Sequence, residues 1–304
     1  MRFRRWQKVS ASLFAVRLLA AGTGLGVKTK AEAHRLVTNP RETRKVPDET
    51  PANRGMAFED VSVTTTDGLR LAGWFIPSSG RALVMVVHGY KEHRGSVLGV
   101  AAILRRHGYA VLVTSLRGHD RSDGETISFG AHEMQDLAAW YAWVRTRPEV
   151  DPALIGIFGV SMGATIAIRF TSENPGVRAL VADCAFSSVE DTVETSVEYF
   201  TGLPPFPFAS LILFWMEREL GVDSDTIDAK RWIPDISPRP VFLLQGGADI
   251  VVSPESGERL YQAAREPKEL WFEPELGHAE FLKKRPKVFE LRISEFFKKH
   301  LRES

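Results

Sequence analysis

This sequence of 304 residues has little cysteine, a small net charge and few long uninterrupted apolar runs. The single cysteine, Cys184, excludes an intramolecular disulfide and a cysteine-based metal cluster. The formal net charge is only +1, and a basic N-terminal part is offset by an acidic remainder, which argues against a nucleic-acid-binding protein. Hydrophobic residues make up 44% and charged residues 25%, so the composition is that of an ordinary globular protein.

The N-terminal part is predicted to lie outside the folded domain. Residues 1–45 hold eleven Lys or Arg and two Glu, a net charge of +9. A mostly apolar stretch runs from Val9 to Val27, but Arg17 interrupts it, and a membrane span needs about 20 apolar residues. Ala31-Glu32-Ala33 has the pattern of a signal-peptidase site. Residues 1–38 are therefore predicted to be a secretory signal or a membrane anchor, which would export the protein or associate it with a membrane; a cytoplasmic tail is the alternative.

A linker and a hairpin are predicted to follow. Residues 39–57 are rich in Pro, Arg, Thr and Glu, which is typical of a linker laid over a surface. The alternating pattern that comes next predicts strands at Phe58–Thr65 and Leu69–Ile76, joined by an Asp67-Gly68 turn. The folded domain is therefore predicted to occupy residues 58–304.

Short apolar runs then alternate with amphipathic stretches. The runs are Ala82–His88, Ala110–Thr114, Leu154–Phe158, Ala179–Asp183 and Val241–Gln245. Nearly continuous apolar runs of this length are typical of strands buried on both faces of a parallel sheet. Helical periodicity separates most of them, as in Val97–His107, His132–Arg147 and Met162–Ser172. This alternation predicts an α/β protein with a doubly wound sheet.

One interval is too long to be a simple crossover. Between the apolar runs that end at Asp183 and begin at Val241 lie 57 residues, whereas a crossover needs only about a dozen. The insertion, at about residues 185–238, is rich in aromatic residues and proline between Phe200 and Met216. It is predicted to form a helical cap over a pocket, with extra core helices as the alternative.

The candidate nucleophile is a serine in a glycine-rich turn. Gly159-Val160-Ser161-Met162-Gly163 is a G-x-S-x-G pentapeptide that directly follows one apolar run and directly precedes a helical pattern. This context is typical of a nucleophile elbow, in which a tight turn raises the serine hydroxyl above the sheet. The alternative is a glycine-rich loop in which Ser161 only caps the helix.

A serine hydroxyl needs an adjacent base, and histidine is the usual one. His278 is the candidate, because it lies in a loop between the apolar run Leu270–Phe272 and the final helical pattern. Asp249 directly follows another apolar run and is the candidate acid that would orient the imidazole. Asp183 is its main rival, and a turn-forming or helix-capping aspartate is the alternative reading of Asp249. Three loop histidines, His93, His119 and His132, precede the acid in the chain and are less suitable bases.

Two backbone amides are candidates for an oxyanion hole. The amide of Met162 lies just after the nucleophile, at the start of the predicted helix. The second amide is expected from the loop His88-Gly89-Tyr90-Lys91, and Tyr90 is the candidate. His88 is expected to be structural at this position.

These residues resemble the α/β-hydrolase superfamily, in the branch that includes bacterial serine-aminopeptidase-like and monoglyceride-lipase-like hydrolases. The resemblance covers about residues 58–302. It rests on Asp67–Trp74, His88-Gly89-Tyr90, Arg117-Gly118-His119-Asp120, Gly159–Gly163, Gly246-Gly247-Ala248-Asp249 and Gly277-His278. The chain order Ser161, Asp249, His278 also agrees with that superfamily. Asp120 replaces the second glycine of an R-G-x-G-x-S loop, so this part of the match is incomplete, and Arg117 is expected to be structural.

The resemblance implies the α/β-hydrolase fold, with a mostly parallel, eight-stranded, doubly wound sheet and a helical cap. It also implies a serine hydrolase of the carboxylesterase or lipase type, which forms an acyl-enzyme through a Ser-His-Asp triad and needs no cofactor and no metal. The expected substrate is a small acyl compound, and the apolar cap residues favour an apolar one. A peptidase or amide hydrolase with the same triad and a catalytically silent binding protein are the alternatives. The sequence predicts no oligomeric state.

Overall fold

Eight strands form one sheet in the computed structural model, which describes residues 25–301. The strands are β1 (Glu59–Thr64), β2 (Arg70–Ile76), β3 (Leu83–Val87), β4 (Ala110–Thr114), β5 (Ile155–Val160), β6 (Val177–Asp183), β7 (Val241–Gly246) and β8 (Lys268–Glu273). Their order across the sheet is β1-β2-β4-β3-β5-β6-β7-β8. Only β2 pairs in antiparallel fashion, with β1 and with β4, and the other neighbours are parallel. The predicted fold class is therefore confirmed.

Helices cover both faces of the sheet. They are α1 (residues 25–37), α2 (Leu98–Arg106), α3 (Glu133–Val144), α4 (Met162–Glu173), α5 (Val189–Thr201), α6 (Pro205–Leu220), α7 (Ala229–Trp232), α8 (Glu255–Ala263), α9 (Phe281–Lys284) and α10 (Pro286–His300). The core side chains of α2 and α10 pack on one face, and those of α3, α4 and α8 pack on the other. All residues of β3 and β4 are buried, because parallel strands between two helical layers have no solvent face.

Aromatic side chains fill both layers of the core. Phe158 of β5 meets Phe289 of α10 edge to face, with ring centroids 6.0 Å apart. On the opposite face, Phe170 of α4 packs in the same way on Tyr141 of α3, at 5.6 Å. Burying a side chain of this size stabilises the fold by roughly 1.5–3 kcal/mol. The layers therefore hold the carboxyl ends of the central strands in place.

Helices α5 and α6 lie between β6 and β7, within the insertion that was predicted at about residues 185–238. The Ser188 hydroxyl caps α5 by accepting the amide of Asp191, at 3.2 Å. Gly202, with φ of 68°, ends α5 in the left-handed conformation that glycine adopts easily. Ile212 and Met216 of α6 are buried against the core, so the helix pair is fixed to the domain.

Within residues 25–301, only this helix pair has the length and apolar composition that a membrane span would need. No single described helix combines the length and the apolar character that a span requires. Helices α5 and α6 pass the same test only when taken together, and they are bent by 106° relative to each other.

Helix α1 packs on the domain, which corrects the boundary predicted at residue 38. Ala33 and Val37 are fully buried in the core, and Leu36 is nearly so. The Val37 carbonyl also accepts the amide of Ile127, at 2.8 Å. The three apolar side chains are spaced so that they lie on one face of a helix. This face packs on the core, although the segment as a whole is basic. The prediction of a signal or membrane anchor otherwise concerns residues 1–24, which lie outside the described residues.

The predicted linker, residues 39–57, runs over the surface and is fastened there by Arg44. The buried Arg44 guanidinium donates hydrogen bonds to the carbonyl oxygens of Asn39 and Ser122, both at 2.7 Å. The segment therefore belongs to the same packed unit as the sheet.

Candidate active site

Ser161 lies in the turn between β5 and α4, as the pentapeptide predicted. Its backbone has φ of 54° and ψ of −122°, a region that residues other than glycine rarely occupy. A Cβ at Gly159 would lie 2.5 Å from the carbonyl oxygen of Gly163, and a Cβ at Gly163 would lie 2.7 Å from that of Val87. Both positions therefore require glycine, and the crowding keeps the turn tight.

The structure brings Ser161 and His278 into direct contact. The His278 Nε2 atom lies 2.8 Å from the Ser161 Oγ atom. His278 follows β8, and its side chain is 22% exposed, whereas Ser161 is nearly buried. The imidazole can therefore take a proton from the hydroxyl without any rearrangement.

Asp249 completes the line of hydrogen bonds. Its Oδ2 atom lies 2.7 Å from the His278 Nδ1 atom. Its Oδ1 atom accepts the backbone amides of Val251 and Val252, at 2.8 and 2.9 Å. The two amides hold the buried carboxylate in one orientation. When the Nδ1–H group of His278 donates to this carboxylate, the Nε2 atom carries no proton and can accept the proton of Ser161.

Asp183, the rival acid, is buried beside this line but is not hydrogen-bonded to His278. It ends β6, and its Oδ1 atom has no hydrogen-bond partner within the described residues. Burial raises the pKa of the Asp183 carboxyl to about 7, and the neighbouring Asp249 carboxylate acts in the same direction. The structure therefore places Asp249, and not Asp183, in contact with the imidazole.

The Tyr90 and Met162 amides, the predicted oxyanion donors, lie next to the serine. Met162 is the first residue of α4, where backbone N–H groups have no intrahelical partner. Tyr90 follows Gly89, and a Cβ placed on Gly89 would lie 3.4 Å from the Ser161 Cβ. Neither amide has an acceptor among residues 25–301. Both are therefore free to bind an oxygen atom of a substrate.

Two buried histidines shape the loop that carries Tyr90. His88 lies 2.8 Å from the Gly89 carbonyl through Nδ1, and its Nε2 accepts the Leu116 amide at 3.2 Å. Burial lowers the pKa of His88 to about 4, which favours the neutral ring that this arrangement needs. The structural role expected for His88 agrees with these contacts.

His119 holds the other end of the same loop, a role that sequence reasoning missed. Its Nε2 accepts the Lys91 amide at 3.0 Å, while its Nδ1 lies 2.7 Å from the Arg117 carbonyl. Burial is the main reason that the pKa of His119 lies well below its ordinary value. Lys91 has φ of 51°, so this hydrogen bond supports a strained backbone directly after Tyr90. The only signal in the sequence was the position of His119 inside the loop after β4.

The loop after β4 also explains the departure from the R-G-x-G-x-S pattern. Asp120, in place of the second glycine, has φ of 48° and accepts a hydrogen bond from the Arg94 Nε atom at 2.6 Å. Both side chains are buried. Arg117 bonds the carboxylates of Asp136 and Asp67, at 2.9 and 2.8 Å, which agrees with a structural role.

Two cavities meet at Ser161. The wide one, of about 550 Å³, is also lined by His278, whereas the narrow one, of about 50 Å³, is not. The narrow cavity is apolar, and its walls include Leu36, Phe129, Phe186, Val193, Val197, Met216 and Val252. Tyr90 and Phe200 line both cavities.

Helix α1 and the linker contribute to these walls, which the sequence analysis did not foresee. Leu36 lines the narrow cavity, and Arg35 and Lys45 line the wide one. The apolar spacing of Ala33, Leu36 and Val37 was the available signal for packing of this helix. The basic start, the apolar stretch from Val9 to Val27 and the Ala31-Glu32-Ala33 pattern instead indicate a targeting segment.

One group of potential metal ligands was found among the described residues, namely Cys184, Asp249 and His278. The two ring nitrogens of His278 already form hydrogen bonds, Nδ1 with Asp249 and Nε2 with Ser161. A metal ion at this position would therefore have to displace one of these two hydrogen bonds. The donor set fits a proton relay better than a metal centre.

Comparisons with known proteins identify a matching family model, similar sequences and similar solved structures. A family model described as serine aminopeptidase, S33, matches residues 78–218. The chain is 32% identical over 226 residues to the uncharacterised protein Rv2307c of Mycobacterium tuberculosis, and the match covers 73% of each chain. It is 27% identical over 228 residues to the uncharacterised protein YfhR of Escherichia coli, covering 72% of this chain and 73% of YfhR. Among solved structures, the Pyrococcus furiosus esterase Pf2001 superposes with a TM-score of 0.75 at 28% identity, covering 88% of this chain and 99% of the esterase.

Proposed function

Because the chain belongs to the α/β-hydrolase superfamily, in the branch described as serine aminopeptidase S33, and is a hydrolase, we propose that it cleaves carboxylic esters through an acyl-enzyme on Ser161. One observation carries this proposal: the imidazole of His278 lies within hydrogen-bond distance of both Ser161 Oγ, at 2.8 Å, and Asp249 Oδ2, at 2.7 Å. The similarity to the esterase Pf2001 supports an ester as the substrate.

Acylation is the first half of the proposed reaction. The Ser161 oxygen attacks the carbonyl carbon of the ester, and its proton passes to Nε2 of His278. The Asp249 carboxylate, which accepts Nδ1–H, stabilises the imidazolium that forms. The Met162 and Tyr90 amides bind the oxyanion of the tetrahedral intermediate. When the bond to the leaving alcohol breaks, His278 returns the proton to the alcohol oxygen.

Deacylation reverses these roles. A water molecule gives one proton to His278 Nε2 while its oxygen attacks the acyl-enzyme carbonyl. The second tetrahedral intermediate collapses, the carboxylic acid leaves, and Ser161 regains its proton from His278. Each proton is returned to a leaving oxygen, so the enzyme ends the cycle unchanged.

The two cavities separate the two halves of the substrate. His278 must protonate the leaving alcohol, and His278 lines only the wide cavity. The leaving group therefore belongs in the wide cavity and the acyl chain in the narrow apolar one. This arrangement supports an apolar acyl group.

An aminopeptidase activity is the second candidate, because the matching family model carries that description. An aminopeptidase would need a negative charge on the acyl side to hold the free ammonium of its substrate. The described lining of the narrow cavity contains no acidic side chain. An ester panel tested beside aminoacyl anilides distinguishes the candidates, and faster cleavage of the anilides would favour the peptidase.

The test of the nucleophile is the variant Ser161→Ala, assayed with a short p-nitrophenyl ester and a fluorophosphonate probe. We expect hydrolysis to fall by roughly 10⁴-fold or more and labelling to disappear while the fold is retained. Ser172→Ala, on the same helix but outside both cavities, is the matched control and should leave both signals unchanged. Absence of labelling in the folded wild-type protein would instead favour a catalytically silent binding protein.

The test of the acid compares Asp249→Asn with Asp183→Asn. Loss of the carboxylate that orients His278 should lower kcat by about 10⁴-fold. Asp183 makes no hydrogen bond to the imidazole, so its variant should retain most of the activity. The opposite ranking would identify Asp183 as the acid.

A further inference from the structure

We infer that the leaving group of the natural ester carries a single negative charge, such as a carboxylate, which binds Lys91 in the wide cavity. The inference rests on the proposed function, because it concerns the half of the substrate that lies on the His278 side of Ser161. It adds a substrate class that the fold alone does not specify.

The charges that line the wide cavity are mostly positive. Arg35, Lys45 and Lys91 contribute three cations, against the acidic groups of Glu92 and Asp183. Asp183 is buried, and burial raises its pKa to about 7, so it is partly neutral at physiological pH. The lining as a whole therefore attracts an anion.

Two of the three cations already have carboxylate partners. Lys45 forms an ion pair with Glu92, and Arg35 pairs with Glu32 at 2.8 Å. Lys91 has no such partner within residues 25–301. Its ammonium donates to the carbonyl oxygen of Arg35 at 2.7 Å, which satisfies one of its three N–H groups. Lys91 is thus the cation that a substrate anion can pair with.

The position of Lys91 is fixed relative to the reacting carbonyl. Lys91 directly follows Tyr90, a proposed oxyanion donor, and His119 holds its backbone amide at 3.0 Å. Its ammonium also lies 5.4 Å from the centre of the Tyr90 ring. Lys91, Ser161 and His278 line the same wide cavity, so a charged group on the leaving half of the substrate would lie in the cavity that the ammonium faces.

Partial burial gives the ion pair more effect than it would have in open solvent. Burial, together with the nearby charge of Arg35, lowers the pKa of Lys91 below its ordinary value. An anion beside the ammonium offsets that cost of desolvation. A substrate carboxylate bound there would therefore favour the charged form of the lysine further.

The experiment compares two esters that have the same butanoyl group. One is 4-butanoyloxybenzoate, with a carboxylate on its leaving group, and the other is 4-butanoyloxybenzamide, a neutral compound of similar shape. The measured quantity is the ratio of their kcat/KM values for the wild-type protein and the variants Lys91→Met, Lys91→Arg and Lys299→Met. Lys299 is exposed near the end of α10, outside the cavity lining, and serves as the matched control.

We expect the wild-type protein to prefer the anionic ester by about fivefold or more. The preference should disappear in Lys91→Met, persist in Lys91→Arg and Lys299→Met, and weaken at high salt. Because a ratio is measured, general damage to the loop affects both esters and cancels. Equal rates on both esters in the wild-type protein, or a preference that survives Lys91→Met, would overturn the inference. Failure of both esters to react would instead count against the proposed function itself.

Monophenyl succinate, whose carboxylate lies on the acyl side, tests which cavity takes the charge. We expect it to be hydrolysed more slowly than phenyl butanoate, because its charge would enter the apolar cavity. If enzymatic hydrolysis of the succinate is faster after its uncatalysed cyclisation to succinic anhydride and phenol has been subtracted, the anion binds on the wrong side of Ser161, which would also contradict the inference.

Discussion

The hydroxyl of Tyr90 donates a hydrogen bond of 2.7 Å to the carbonyl oxygen of Leu36. This bond connects the loop that carries a proposed oxyanion donor to helix α1, which precedes the sheet in the chain. Leu36 itself lines the narrow cavity. The geometry of the candidate site therefore depends on a segment far from it in sequence.

Tyr90→Phe should lower the free energy of unfolding by about 1 kcal/mol, because the Leu36 carbonyl loses its partner in a partly buried position. The measurement is urea unfolding followed by tryptophan fluorescence. Tyr199→Phe is the control, since the Tyr199 side chain is 60% exposed and its hydroxyl has no hydrogen bond among the described residues. An equal loss in both variants would show that the bond to Leu36 adds no stability.

Asp183→Asn should stabilise the protein more at high pH than at low pH. Burial raises the pKa of Asp183 from its ordinary 3.8 to about 7 in the folded state. Between these values the folded chain holds a proton that the unfolded chain has lost, so the carboxyl lowers stability as pH rises. The difference in Tm between variant and wild type should grow from pH 4 to pH 7.5. A difference that is constant across this range would rule out a raised pKa.

Asp120→Gly should destabilise the fold, even though glycine accepts the backbone φ of 48° more easily than aspartate. The substitution leaves the buried Arg94 without its closest carboxylate, which typically costs about 3–5 kcal/mol. Relief of the backbone strain returns only about 1 kcal/mol. Thermal unfolding measures the balance, and the double variant with Arg94→Met should recover part of the loss. A more stable Asp120→Gly protein would refute this account.

Met216→Ala should shift the preferred acyl chain to greater length. The narrow cavity holds only about 50 Å³, and the buried Met216 forms part of its wall. We expect the wild-type protein to favour acetyl and butanoyl esters over octanoyl esters, and the variant to raise the ratio of octanoyl to acetyl kcat/KM. The variant should also lose about 2–5 kcal/mol of stability. An unchanged chain-length profile in the folded variant would mean that the acyl group binds elsewhere.

Local composition was enough to predict the sheet and the elbow. Strands buried on both faces leave continuous apolar runs, and the run predicted at Ala110–Thr114 has the same limits as β4. The turn at Ser161 leaves a second local signal, because Gly159 is required by its close contacts with Gly163 and Ala164 in the same turn. Gly163 is required by its contact with Val87 of β3. Asp249 and His278 could be proposed because each lies in the loop that follows a strand.

The contacts that assemble the surroundings of the site could not be predicted in this way. The bond between His119 and Lys91 joins two loops, and nothing in either loop specifies the other. The packing of α1 is similar: its basic residues are exposed or paired at the surface, while only three apolar side chains enter the core. The overall composition of such a helix combines both faces. It therefore reports the basic residues of α1 but does not reveal that its three apolar residues share one face.

Ser161 and His278, its proposed base, are far apart in the order in which the chain is synthesised. His278 is added 117 residues after Ser161, and it is positioned by β8, the strand at the far edge of the sheet. A nascent chain on the ribosome can therefore form the elbow while its hydroxyl still lacks a proton acceptor. The proposed acyl transfer on Ser161 therefore requires a chain that has been synthesised through His278.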